Sequence, residues 1–101
     1  MNHTLVKSSN IRSIGYNKHE KTLEICFNSG KIYQYHGPNG FPEELYDALM
    51  LADSKGKFAN QFIYPQYVGL YVRDDDSPED IYWTNQRIDA EEFAQKKKRI
   101  S

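Results

Sequence analysis

The chain has 101 residues, 39% hydrophobic and 27% charged, with a formal net charge of −1. That is enough for one domain with a modest core, and the charge argues against a general polyanion binder, which is basic overall. One cysteine, Cys26, excludes an intramolecular disulfide and argues against a zinc site of the usual Cys/His kind.

In chain order, residues 1–10, MNHTLVKSSN, lack the apolar core of a signal peptide. No apolar run reaches the ~18 residues of a membrane span, so a cytoplasmic protein is expected. Residues 11–17, IRSIGYN, and 22–28, TLEICFN, read as strands joined by the polar turn NKHEK. Leu23, Ile25 and Phe27 alternate with Glu24, Cys26 and Asn28, the period of a half-buried strand. Cys26 lies inside that run with no evident base beside it and reads as structural.

After the turn signal NSG comes a third strand, KIYQYH. Its register with the second strand decides which way Tyr33 and Tyr35 face. A loop of Ser29 and Gly30 alone puts both rings opposite the Leu23, Ile25 and Phe27 face. A three-residue loop, Asn28 to Gly30, pairs Ile25 with Tyr33 and Leu23 with Tyr35, so all share the apolar face. Gly30 in third place suits the second register, as the left-handed residue that closes a type I turn.

GPNGF is a loop, and a helix starts at Pro42, with Glu43 and Glu44 complementing its dipole. Leu45, Ala48, Leu49 and Ala52 form its apolar stripe. Ser54 is the expected N-cap of a second helix, KGKFANQFI, burying Phe58 and Phe62. Gly56 near its start suggests a close backbone approach. YPQYVGLYV, residues 64–72, reads as a fourth strand, RDDDSPED as a solvated acidic loop, IYWTNQRI as a short strand and DAEEFAQKKKRIS as a capped, basic-ended helix. The expected architecture is α+β: an antiparallel meander of three to four strands against two helices, with a C-terminal extension ending in a helix.

No catalytic set is evident. His3, His19 and His36 are scattered, and Asp74-Asp75-Asp76 lacks the glycine and distal glutamate of a calcium loop. GPNG is not a phosphate loop, and Glu43-Glu44 and Glu91-Glu92 sit at helix starts, where dipole complementarity accounts for them. No metal or cofactor is expected, and a non-enzymatic binding module is. The first 36 residues carry Lys7, Arg12, Lys18, Lys21 and Lys31 against Glu20 and Glu24. Tyr33, Tyr35, Lys31 and Arg12 make a candidate platform for nucleobases in the two-residue register. Lys55, Gly56 and Lys57 at a helix start are candidate phosphate contacts. Against these stand plainer readings: core tyrosines, solvated lysines and, for KKKR at 96–99, a helix-end charge cluster.

Residues 6–67 resemble the KTSC domain, a short family found at the C-terminus of some lysyl-tRNA synthetases and as small stand-alone bacterial and phage proteins. The likeness rests on the order of SSNIRSIGY, LEICFNSGKIYQY and EELYDALMLADSKGKFANQFI, with Tyr33-Gln34-Tyr35 at its centre. The loop HGPNGFP is longer than the family's, and Tyr64-Pro65 stands where a basic residue is usual. Residues 68–101 form an extension beyond the resemblance. Through its synthetase context the resemblance implies RNA as a ligand, and a compact tyrosine-lined pocket would serve a nucleotide equally. The alternative is a protein-interaction module, a small regulator or inhibitor of a host enzyme complex. The acidic segment from Arg73 to Glu92, exposed Tyr82 and Trp83, and a homo-oligomer all suit that alternative.

Overall fold

The computed structural model describes residues 1–75 and 87–88. Its elements are β1 (His3–Val6), β2 (Ile11–Asn17), β3 (Thr22–Phe27), β4 (Lys31–Tyr35), α1 (Glu43–Leu51), α2 (Lys55–Phe62), β5 (Leu70–Asp74) and β6 (Arg87–Ile88). The strands form one sheet in the order β5-β4-β3-β2-β1-β6. The two-residue β6 runs parallel to β1, and the other neighbouring pairs are antiparallel.

Two turns set the centre of the sheet. Asn17 Oδ1 accepts from the backbone N–H groups of His19 and Glu20, both at 3.0 Å, and reverses the chain between β2 and β3. Between β3 and β4 the Gly30 N–H donates to the Phe27 carbonyl at 2.9 Å, with Gly30 at φ +94°. The loop is therefore Asn28-Ser29-Gly30. Ile25 lies opposite Tyr33 and Leu23 opposite Tyr35, as the three-residue register requires.

That register puts the tyrosines on the helix side. Ile14, Leu23, Ile25 and Tyr35 pack with Leu49 and Met50 of α1 and with Ala59 and Ile63 of the second helical segment. Phe41 closes this core; its N–H donates to the Lys21 carbonyl at 2.7 Å, and its own carbonyl accepts from the Tyr16 hydroxyl. Each such fully buried apolar side chain contributes about 1.5–3 kcal/mol.

The helices begin where the sequence places them. Glu43 and Glu44 occupy the first turn of α1, and Ser54 Oγ accepts from the Lys57 N–H at 3.3 Å to cap α2. Their buried faces differ from the expected stripes. In α1 only Leu49 of the predicted stripe is fully buried, and Met50 joins it. In α2 the inward line is Lys55, Ala59 and then Ile63, four residues apart. Phe62 is thereby turned outward and is 40% exposed, leaning on Phe58 at 4.9 Å between ring centres.

Three further expectations change. The N-terminal segment contributes a strand, β1, that a four-residue run at a chain end did not announce. The predicted strand 64–72 is shorter and later: Tyr64 and Tyr67 continue helical turns, donating to the Ala59 and Ile63 carbonyls, and β5 starts at Leu70. The alternation in β3 does not mark a wet face, because Glu24 and Cys26 are as buried as Leu23 and Ile25. The predicted C-terminal helix, Asp76, Tyr82 and Trp83 lie outside the described residues.

Candidate functional site: an aromatic cleft beside the second hairpin

Where the helices stop short of the hairpin end, the helix side of the sheet opens into a cleft of about 300 Å³. It is lined by Asn10, Phe27, Tyr33, Tyr35 and Tyr64. Asn10 is brought there from the β1–β2 loop by the second hairpin: the Asn28 N–H donates to the Asn10 carbonyl at 2.9 Å, and Asn28 Nδ2 donates to the Ser9 carbonyl at 2.8 Å. Tyr64 arrives from the turn that follows α2. Its ring lies 5.8 Å from that of Tyr35.

A row of rings runs outward from this cleft across three strands. Phe27 and Tyr33 meet edge to face at 5.8 Å, and Tyr33 and Tyr71 do so at 5.7 Å. Tyr71, on the edge strand, is 52% exposed, and the Lys31 ammonium sits 5.3 Å from its ring centre. The Tyr71 hydroxyl donates to Asp74 Oδ1 at 2.9 Å, and Lys31 also pairs with Asp74 at 3.7 Å.

Burial, with smaller contributions from the neighbouring Tyr64 and Tyr33 phenols, pushes the Tyr35 hydroxyl well up, and burial raises that of Tyr64. The Tyr64 hydroxyl is out of water and without a hydrogen-bond partner among the described residues.

The residues singled out in the sequence divide accordingly. Tyr35 is 4% exposed, a core residue with one edge on the cleft, and Tyr33 is half-buried. The open platform of the two-residue register is thus replaced by a recess. Lys31 stands over Tyr71, and Arg12 donates to the Asn28 carbonyl at 3.2 Å, at the same hairpin end. Gly56 lies against the cleft-lining asparagine: a Cβ there would fall 2.8 Å from Asn10 Oδ1. Lys57 is exposed, but its N–H is taken by Ser54. Lys55 is turned inward, 3% exposed, and its ammonium donates to the Ala52 carbonyl at 2.7 Å. Asn10, Phe27, Tyr64 and Tyr71 were not singled out. Only Tyr64 carried a signal, as the residue standing where the resembled family is usually basic.

The other side of the sheet holds a second cluster. Glu24, 2% exposed, accepts from His3 Nε2 at 2.6 Å, from Gln34 Nε2 at 2.7 Å and from both Arg73 amino groups at 3.1 and 3.2 Å. Burial raises its pKa, but the hydrogen bonds from His3, Arg73 and Gln34 outweigh burial and hold it at about 2. An ionised carboxylate only accepts, so His3 Nε2 carries the proton. His3 Nδ1 meets Ser13 Oγ at 2.9 Å. Serine, histidine and glutamate in series suggest a nucleophile, but Ser13 is fully buried. Burial also raises the Cys26 thiol. Among the described residues no group of His, Cys, Asp or Glu side chains could hold a metal ion, and no helix is long and apolar enough to cross a membrane.

Comparison with known proteins agrees with this chain's architecture. Residues 7–67 match the model of the KTSC domain. An uncharacterized protein of Stutzerimonas stutzeri (strain A1501) is 39% identical over 67 residues, covering 66% of this chain and 90% of that one. A protein of Tsukamurella paurometabola is 36% identical over 62 residues, 61% of this chain and 88% of the other. The crystal structure of a KTSC domain protein from Yersinia pestis superposes with a TM-score of 0.65 at 35% identity, covering 71% of this chain and 97% of that one. The chain belongs to the KTSC domain family.

Proposed function

We propose that this domain is a non-enzymatic binding module for RNA or a nucleotide, with the rings of Tyr71, Tyr33 and Phe27 as its stacking surface. The observation that carries this is the continuity of those rings with the recess beside them. Aromatic side chains on adjacent strands are a stacking surface for bases whatever their sequence, at about 1–3 kcal/mol per base. Lys31 beside Tyr71 and Arg12 at the hairpin end supply local positive charge. A net charge of −1 suits a short segment or a single nucleotide better than a long polyanion.

The test is binding of a labelled single-stranded RNA to the full chain at low and moderate salt. Tyr71 is the informative position, because its ring is 52% exposed on an edge strand. Tyr71→Ala is expected to keep the wild-type fold and to weaken binding by about 1–3 kcal/mol, while wild-type affinity falls with added salt. Unchanged binding by Tyr71→Ala, or no binding by the wild type at low salt, would sink the proposal.

A protein partner is the alternative, favoured by one observation. Val68, Leu70 and Val72 are exposed along β5 and the segment before it. A partner there would meet side chains rather than extend the sheet. The β4–β5 pairing slips between Tyr71 and Arg73, a bulge of the kind that blunts edge strands. Absent RNA binding, together with loss of a purified partner on Leu70→Asp, would favour this alternative.

A further inference from the structure

One row of side chains crosses the face of the sheet away from the helices. Arg73, Ile32, Cys26, Ser13, Leu5 and Arg87 lie opposite one another in turn, on β5, β4, β3, β2, β1 and β6. The four inner members are sealed from water: Ile32 is 3% exposed, Leu5 2%, and Cys26 and Ser13 0%. Serine and cysteine are short, and on an uncovered sheet face they meet solvent. Yet α1, α2, Phe41 and the turn after α2 all pack on the opposite side, with Ile14, Leu23, Ile25 and Tyr35. A further layer of chain therefore lies on this face.

The two ends of the row show which part of the chain that is. β5 and β6 run in the same direction at opposite edges of the sheet. Joining parallel strands takes a crossover of about a dozen residues over one face, and residues 75–86 are that connection. Crossing from edge to edge spans about 24 Å. That is within the ~40 Å such a connection can reach, but too far to rise over a helix layer about 10 Å thick and come back. The departure is also set. The Asp75 N–H donates to the Gly30 carbonyl at 2.6 Å, and Asp75 Oδ2 lies 3.9 Å from Cys26 Sγ. The chain thus leaves the edge strand already turned over the centre of the row.

We infer that residues 76–86 dock on this second face, with Ile81, Tyr82 and Trp83 over Leu5, Ser13, Cys26 and Ile32. Those three are the apolar centre of DSPEDIYWTNQ and fall midway between the two edges. The docked segment also accounts for the 2% exposure of Glu24 on the same face. It belongs to this chain's extension, because the family match ends at residue 67. The second face is thus occupied from within the chain, and the helix side with its aromatic cleft is the side left to a ligand. The inference does not depend on what that ligand is.

The experiment uses the full chain, whose single tryptophan, Trp83, and single cysteine, Cys26, stand on the two sides of the inferred contact. Acrylamide quenching of Trp83 fluorescence is measured at several protein concentrations, native and in urea. Native quenching is expected to be several-fold weaker than in the unfolded chain and independent of concentration. Reaction of Cys26 with a thiol reagent is then compared in wild type and Trp83→Asp, after far-ultraviolet circular dichroism has shown both folded. Trp83→Asp should react at least an order of magnitude faster, with the shallow urea dependence of a local opening rather than the steep one of global unfolding. A native Trp83 as open to acrylamide as in urea overturns the inference and leaves residues 89–101 as the cover. Shielding lost on dilution overturns it in favour of a second copy of the chain. Unchanged Cys26 reactivity in folded Trp83→Asp, or a rise only through global unfolding, places Trp83 elsewhere and overturns it too. Should Trp83→Asp fail to fold, Trp83→Leu takes its place with the same expected direction.

Discussion

The two sides of this sheet are held by different physics. On the helix side, Leu23, Ile25 and Tyr35 pack against Leu49, Met50, Ala59 and Ile63, and the interaction is non-directional burial. On the other, His3, Ser13, Glu24, Gln34 and Arg73 contribute one residue from each of β1 to β5 to a single hydrogen-bonded chain. Apolar packing tolerates small shifts and leaves a recess at its margin where the helices end. The polar chain tolerates none, because a one-residue slip of β3 would drive Glu24 into the helix-side core. Stability thus comes largely from one side and register from the other, and the adaptable side is the one that carries the candidate site.

Removing Glu24 is the strongest way to break that contrast. Glu24→Ala deletes the acceptor of four hydrogen bonds and leaves the buried His3 ring and the Arg73 guanidinium without their anion. A loss of about 3–5 kcal/mol is expected in urea unfolding. The two sides should also separate by pH. The Glu24 carboxyl is held at about 2 against an ordinary 4.5. A depressed native pKa gives stability that is fully present above 4.5 and is lost as pH falls toward about 2. Wild-type stability should therefore drop across that interval, and Glu24→Ala should remove part of the drop. Leu49→Ala, which opens a helix-side cavity at about 2–5 kcal/mol, should leave the acid slope as it was. The same acid slope in Glu24→Ala and wild type would mean the network adds no linkage.

A smaller effect should follow at Gly15, which faces the same network. Gly15 pairs with His3, and a Cβ at Gly15 would fall 2.7 Å from His3 Cδ2 and 2.8 Å from the Asn2 carbonyl. The close approach of the His3 segment is what requires glycine. Gly15→Ala should cost about 1–3 kcal/mol by displacing the imidazole from Glu24, and most of that cost should vanish in a His3→Ala background. An equal cost in both backgrounds would put the strain on the backbone instead.

These two residues also mark what could be read from the sequence. The central meander was legible because its signals are local. NSG with glycine third favoured the three-residue loop over the two-residue one, and the structure has that loop, whose register puts Tyr33 and Tyr35 with Leu23 and Ile25. Ser54 was legible as a cap for the same reason. Glu24 was not, since a charge alternating with apolar residues looks like a solvent-facing position. Its partners His3 and Arg73 stand 21 and 49 residues away. The cleft shows the same division. Tyr33 and Tyr35, which line it, stand out in the sequence as a local pair on one hairpin strand, with Lys31 beside them and Arg12 on β2. Asn10, Tyr64 and Tyr71 reach it only through tertiary contacts, and Tyr71 depends on a β4–β5 register with a bulge in it. Lys55 was misjudged because a lysine at a helix start reads as solvated, while here its ammonium turns back to the Ala52 carbonyl.

The mildest substitution asks whether the start of α2 belongs to the site or only to the scaffold. Lys55, Gly56 and Lys57 suggest a phosphate contact in sequence, yet the Lys57 N–H is already bonded to Ser54 Oγ. If the cap is purely structural, Ser54→Ala should cost about 1 kcal/mol of stability. It should leave RNA and nucleotide affinity unchanged, because Asn10 is positioned by Asn28 and Gly56 rather than by the cap. If a phosphate competes with Ser54 for that N–H, removing the hydroxyl should instead tighten binding, most of all at low salt where the helix dipole is least screened. Unaltered affinity together with reduced stability would confine the ligand to the hairpin side of the cleft, on Lys31 and Arg12. Tighter binding would extend the site across Gly56 to the helix and restore Lys57 as a contact.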